Sequence, residues 1–461
     1  MESDDEESPR TFKCYQDEIE SSSPPRPALT YVWEISVHLF YTFLTDWTMP
    51  ITRPINFFLT CIFYPASISI ILLTGFGLRI INHFGLLDNI NFYDNNKWGG
   101  YNGDKLKKIR ENGMTVLKSP VPNPPQPIPF NIDLVETLLF FSAIVYYRGN
   151  PNYNKMSDTT KSTIKKHRNH AEKRINEIIR PWGIKFHSFG ELKSTENIFA
   201  GLFWSQEKNF IVVSFKGTSP PVFNDYITDF LFNRVDARSF VFGMMHQGFY
   251  YSLFTDYDDL LKRCTANCLI DVILKKVEKW NNTTPVNIWV TGHSLGGSLA
   301  QAFYARLIKI QSSLKKIVVR DAIVFGSPAL GDFDFASSFH GILNLELNEH
   351  RTLWRIIDDN DIVARVPPRH LLNRFRQYVT KEDVLDYYTI GNEMQFFQDG
   401  RKPEGPTNPT ANQKNQISDV FTILMKLITF KPIIDHAPER YFKAIEKSRH
   451  YFNTESDKLD Y

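Results

Sequence analysis

The sequence predicts an α/β fold with a mostly parallel central sheet, preceded by a hydrophobic segment of its own. Three observations carry this. Beyond residue 184, short apolar runs alternate with helical stretches; a Gly-His-Ser-Leu-Gly turn at 292–296 joins a strand to a helix; and no charged residue occurs from Pro54 to Leu78. At 461 residues with 42% hydrophobic content, the chain has material for a large core and an appendage.

The strand candidates are 197–204, 209–215, 286–291, 319–325 and 352–357. In Ile211-Val-Val-Ser-Phe215 and Ile288-Trp-Val290 apolar residues stand on successive positions, the signature of strands covered on both faces. Helical stretches at 257–280 and 295–312 lie between them, and alternation of the two types implies parallel strands linked by crossover helices. A first helix over 132–147 carries Leu134, Leu138, Leu139, Ala143 and Val145 at helical spacing, and 161–180 is a basic amphipathic candidate, read either as a solvated face or as a contact for anionic lipid headgroups.

The chain divides accordingly. Residues 1–30 are polar and acidic and predict a disordered tail without the basic start and apolar core of a signal peptide. Residues 31–85 are expected to anchor the chain on a membrane. The stretch 31–49, rich in Trp, Phe, Tyr and Leu but broken by Glu34 and Asp46, suits an interface. The uncharged run after it exceeds the roughly 20 residues that cross a bilayer. Pro65 near its middle fits a kinked span or a hairpin equally; a pair of core helices in a soluble protein is the competing reading. Residues 86–130 form a linker, proline-rich at 119–129, and 131–461 the α/β domain. The basic residues after the apolar run place that domain on the cytosolic side.

A net charge of +2 gives no bulk reason to expect nucleic acid. The four cysteines Cys14, Cys61, Cys264 and Cys268 form no disulfide framework, and no histidine near the last two completes a zinc set.

The turn at 292–296 carries the chemistry. A serine between a strand (Val286–Thr291) and a helix rich in small residues (Gly297–Ala302) is a nucleophile elbow, as in the α/β-hydrolase fold. The turn lifts the Ser294 hydroxyl above the sheet. Gly292 and Gly296 flank it so that strand and helix approach without Cβ clashes, and His293 precedes the serine. In such an elbow the N–H after the serine, here that of Leu295, helps to stabilise an oxyanion.

Around it, Thr291–Ala300 resembles the class 3 (fungal-type) lipase family, and so do four segments in matching order. These are Phe215-Lys-Gly-Thr218 with Asp225-Tyr-Ile-Thr-Asp229, His246-Gln-Gly-Phe-Tyr250, Phe325-Gly-Ser-Pro-Ala-Leu-Gly331, and Asn360-Asp-Ile-Val-Ala-Arg-Val-Pro-Pro368. The resemblance covers about 130–450. It implies an ester hydrolase working by a Ser-His-Asp acyl-enzyme mechanism, with Thr218 as the second oxyanion donor. Lys216, Tyr226 and Ala364 stand where the family usually has arginine, tryptophan and proline.

The triad order in this fold is Ser, Asp, His. Asp358, Asp359 and Asp361 all follow the strand at 353–357; the family pattern selects Asp361, with either neighbour as the alternative. Of the later histidines, His370 lies too close to Asp361 and His450 sits in a late charged helix. That leaves His436, in a loop entering a helix, and its His-x-Pro-x-x-Tyr spacing resembles the plant oil-body lipase branch of the family. His246 precedes the serine and reads as structural. Residues 219–242, with Phe223, Tyr226 and Phe230, are the candidate lid. The expected activity is triacylglycerol hydrolysis at a membrane or lipid-droplet surface, or at the endoplasmic reticulum. The alternatives are a phospholipase A1, a diacylglycerol lipase, or a non-catalytic droplet tether. No metal or organic cofactor is expected.

Overall fold

The computed structural model describes residues 103–120, 130–148, 161–191, 199–218, 234–254, 264–280, 282–343, 351–359, 361, 363–365, 387–407 and 434–452, with isolated positions between 33 and 61. The expected acidic tail, most of the uncharged run at 54–78 and the proline-rich 121–129 lie outside the described residues. No helix among the described residues is long and apolar enough to cross a membrane.

Strands β1 (Lys185–Glu191), β2 (Phe199–Ser205), β3 (Phe210–Phe215), β6 (Val286–His293), β7 (Ile317–Phe325), β8 (Leu353–Asp358), β9 (Asn392–Phe396) and β10 (Glu404–Thr407) form one sheet in the order β1-β2-β3-β6-β7-β8-β9-β10. The centre, β3 to β9, is parallel, while β1, β2 and β10 pair antiparallel at the margins. A small antiparallel ribbon, β4 (Arg234–Asp236) with β5 (Met244–His246), stands apart. All five predicted strands are present. β1, β9, β10 and the ribbon escaped prediction because each is short or mixes polar residues among its apolar ones, leaving no long apolar run.

Helices cover both faces. On one side lie α4 (Gln247–Phe254), α5 (Thr265–Trp280), α6 (Leu295–Lys309) and α7 (Phe333–Leu343). On the other lie α1 (Gly103–Leu117), α2 (Ile132–Ile144), α3 (Lys161–Ile179) and α8 (Pro438–Ser448). The alternation of β6 shows why its residues are apolar in succession. Ile288 and Val290 join the core under α6, whereas Trp289 joins the core under α2.

Local chemistry sets the helix ends that matter for the site. Asn131 caps α2, its side chain accepting from Leu134 N–H at 2.9 Å, and Asp133 in the first turn suits the positive end of the helix. The predicted helix over 132–147 gives way after Ile144 to a 3-10 turn, Val145–Arg148, which redirects the chain beneath β6. In the described part of α3, Lys173 and Arg174 are exposed and Ile175 and Ile179 buried, so the helix is amphipathic as expected. Pro438 at the first position of α8 pre-sets its opening φ.

Buried Arg355 on β8 ties the aspartate loop to the sheet. It donates to Glu393 on β9, to Ala364 O, and to Ser327 O at 3.0 Å. Arg355→Met would leave those acceptors without their donor. It is expected to cost about 3–5 kcal/mol of stability, measurable by urea unfolding; a midpoint matching wild type would contradict this account.

Candidate active site

Ser294 ends β6 and opens α6 with φ 61 and ψ −136, a conformation a serine adopts only under constraint from both sides. The constraint is visible. Its N–H donates to Phe325 O on β7 at 2.9 Å, and its carbonyl accepts from Gly297 N–H at 2.8 Å. Gly292 and Gly296 allow the strand and helix backbones to touch: a Cβ on Gly296 would run into Phe215 O and lie 2.7 Å from Gly217 N. Leu295 is the first residue of α6, where N–H groups have no intrahelical acceptor.

The Ser294 side chain is fully buried, yet its hydroxyl has no hydrogen-bond partner among the described residues; the same is true of Thr218 Oγ1. Buried hydroxyls are nearly always satisfied, so two orphans in one neighbourhood mark a site built to bond something else. The neighbourhood is shared through Gly217, where a Cβ would stand 3.0 Å from that of Ser294. Thr218 follows Gly217 directly, off the end of β3.

The candidate acid and base come from the other side. His436 Nδ1–H donates to Asp361 Oδ2 at 2.8 Å, and both residues are buried. In the neutral imidazole this puts the lone pair on Nε2, the atom a general base uses. The His436 ring packs on that of His293, the residue before the nucleophile, centroids 4.6 Å apart. Gly326, at φ +56, is the floor under this pair; a Cβ there would lie 2.6 Å from Asp361 Oδ2 and 3.0 Å from His436 Cε1.

Asp361, not its neighbours, meets the histidine. Its Oδ1 accepts from Val363 N–H at 2.8 Å, closing a tight turn. Asp358 instead accepts from Gln398 Nε2 at 2.6 Å and from Asp359 N–H at 2.9 Å, and Asp359 faces Arg401 at 3.9 Å. Burial raises the Asp358 carboxyl to about 8, and nearby Asp435 and Asp361 push the same way.

Tyr441 was noticed in the sequence only as part of a spacing. Its hydroxyl donates to Asp361 Oδ2, the oxygen that also receives His436. It stands one helical turn into α8, on the face that buries Phe442, Ala444 and Ile445, so a polar tip on an apolar stripe was the available signal. Burial first, and then the Asp361 charge, raise its phenol well above the usual range.

The remaining candidates fall elsewhere. His246 is buried on β5, its Nδ1 accepting from Gly248 N–H at 3.1 Å, with its ring against Phe249 and Tyr387. His450 lies in an exposed 3-10 turn after α8. Phe223, Tyr226 and Phe230, like His370, lie outside the described residues. Of the candidate lid at 219–242 only the end is described: 234–236 is strand β4, and Ala237, Val241 and Phe242 are buried in the core cluster that includes α6 and α7. No group of three or more metal-ligating side chains is assembled among the described residues.

The sequence pattern of the family Lipase (class 3) matches residues 212–371. Triacylglycerol lipase OBL1 of Arabidopsis thaliana is 27% identical over 190 residues, covering 35% of this chain and 35% of that protein. Phospholipase A1-IIgamma of Arabidopsis thaliana is 30% identical over 173 residues, covering 34% and 38%. Triacylglycerol lipase OBL1 of Ricinus communis is 25% identical over 249 residues, covering 47% and 45%. The chain thus spans between about a third and a half of the length of the curated relatives it matches.

Two outcomes follow from this geometry. Tyr441→Phe removes a hydrogen bond to a charged group, about 1.5–3 kcal/mol, and turnover of a soluble p-nitrophenyl ester is expected to drop about ten- to a hundredfold; unchanged turnover would remove Tyr441 from the site. Asp358 keeps its proton to about 8 in the folded chain but releases it near 3.8 when unfolded. Between those values the folded state binds the extra proton, so stability declines as pH rises through this window. Asp358→Asn should flatten the decline in melting temperature between about pH 6.5 and 8, and an identical slope in both proteins would refute the assignment.

Proposed function

We propose that this chain, a class 3 lipase by residues 212–371, hydrolyses acylglycerol esters by an acyl-enzyme mechanism, with triacylglycerol as its substrate. The observation that carries the reading is the pair of orphaned buried hydroxyls, Ser294 and Thr218, beside the joined His436 and Asp361. In this mechanism His436 Nε2 takes the Ser294 proton as the oxygen attacks the ester carbonyl. The oxyanion accepts from Leu295 N–H and from Thr218, where loss of one donor costs about 10²–10³ in turnover. His436 then passes its proton to the leaving alcohol. Water, deprotonated by the same nitrogen, releases the fatty acid and restores Ser294. Asp361 stabilises the imidazolium formed in each half-reaction and stays ionised.

A lipid surface as workplace is part of the proposal. It is supported by the exposed Trp33, Phe40, Leu44 and Trp47, which lie in the stretch expected to sit at an interface, by the exposed Ile51 and Phe58 beyond it, and by the uncharged run at 54–78. The proposal extends to a lipid-droplet or endoplasmic-reticulum address with the catalytic domain facing the cytosol. A second reading, phospholipase A1, is favoured by the relative of that name, which is 30% identical over 173 residues.

The experiment is fatty-acid release from emulsified trioleoylglycerol and from phosphatidylcholine vesicles, wild type against Ser294→Ala. The substitution is expected to remove on the order of 10⁶ in turnover. Release from trioleoylglycerol that depends on Ser294 supports the proposal, and release confined to vesicles supports the phospholipase. No release from either substrate would leave the tether.

A further inference from the structure

Tyr146 lies in the 3-10 turn after α2, fully buried beneath the end of β6, and no step of the mechanism above uses it. Its hydroxyl nevertheless starts a hydrogen-bonded chain that reaches His436. Gly217, at the start of the oxyanion segment, packs directly against the phenol oxygen. The approach is close: a Cβ on Gly217 would stand 2.5 Å from Tyr146 Oη and 2.6 Å from His293 O. The phenol has one hydrogen, and His293 Nδ1 at 2.9 Å is a better acceptor than His293 O at 3.4 Å. His293 Nε2 lies 2.8 Å from His436 O. A carbonyl only accepts, so Nε2 carries the hydrogen and Nδ1 is the acceptor the phenol needs. The donors therefore point one way, from Tyr146 through His293 to the backbone of His436, with Gly217 packed against the phenol at the other end. Burial also keeps the His293 imidazole neutral, which the chain requires, since an imidazolium has no lone pair for Tyr146.

We infer that Tyr146 and His293 are a pair of positioning residues that hold the oxyanion segment at Thr218 and the general-base loop at His436 in register around Ser294. These two parts approach from opposite sides of the elbow and are far apart in sequence, 218 against 436. A displacement of about 1 Å between them is enough to cost about a hundredfold in rate. The inference rests on the ester-hydrolase reading of Ser294 and His436.

The test uses the full chain and a soluble p-nitrophenyl ester, with active sites counted by a fluorophosphonate and melting temperature measured in parallel. Tyr146→Phe keeps the ring and the packing. It is expected to lower kcat per titrated site about ten- to a hundredfold, with KM within about twofold of wild type. His293→Leu should lose a similar factor, and Tyr146→Phe combined with it should lose no more, because the two act in series. His293→Gln, whose amide N–H can still donate to His436 O, should recover most of the rate. If His293→Leu fails to fold, the comparison of Tyr146→Phe with His293→Gln decides. The inference is overturned if Tyr146→Phe turns over at the wild-type rate per titrated site, if its loss is confined to melting temperature, if the two losses multiply, or if His293→Gln is as slow as His293→Leu. A wild-type protein that is neither labelled at Ser294 nor active would instead overturn the ester-hydrolase reading and this inference with it; a labelled, active wild type beside a normal Tyr146→Phe defeats only the inference.

Discussion

The backbone of Ser294 cannot hold its conformation unaided. Its φ of 61 is stable only because β6 is clamped between β3 and β7, because Phe325 O takes its N–H, and because the first turn of α6 presses against β3 through Gly296. Everything else at the site is placed relative to this strained turn. The sheet fixes where β3 ends, and hence Gly217 and Thr218. It fixes where β7 ends, and hence Gly326 under the histidine, and where β8 ends, and hence the aspartate. The parallel strands all finish at one edge, so residues widely separated in sequence are delivered to one neighbourhood by the fold alone.

Behind the nucleophile the problem is electrostatic. Asp361 is fully buried, and a buried carboxylate is tolerable only when well supplied with donors. It receives three: Val363 N–H, His436 Nδ1–H and the Tyr441 hydroxyl. A second buried acid, Asp435, is met by Arg440 at 2.9 Å. A third, Asp358, holds its proton to about 8 instead, because burial and two neighbouring carboxylates make a further charge too costly. The cluster thus divides its burden between donors, a cation and a retained proton.

The anonymity of Tyr146 and Tyr441 in the sequence has a common cause. Each is an aromatic residue among buried apolar residues, and its body contributes to the core in the ordinary way. Only the tip is distinctive. Whether that tip meets a histidine, a carboxylate or a backbone carbonyl depends on elements more than a hundred residues away in one case and on a separate loop in the other. Sequence periodicity reports which face of a helix is buried and is silent about what the face touches.

The sequence by itself determined the α/β alternation, the elbow at Ser294 and the chain order of the candidate triad, because each is written in local pattern: apolar runs of strand length, glycines where backbones must touch, a histidine in a loop before a proline-led helix. It left three aspartates within four positions as candidates, and it was silent on what Val241 and Phe242 at the end of the candidate lid pack against. Those questions were decided only by tertiary structure. The choice of Asp361 depends on which carboxylate the loop after β8 turns toward His436, and the burial of Val241 and Phe242 depends on α6 and α7 packing over them. Both are facts of three-dimensional proximity between distant segments, which no spacing along the chain encodes.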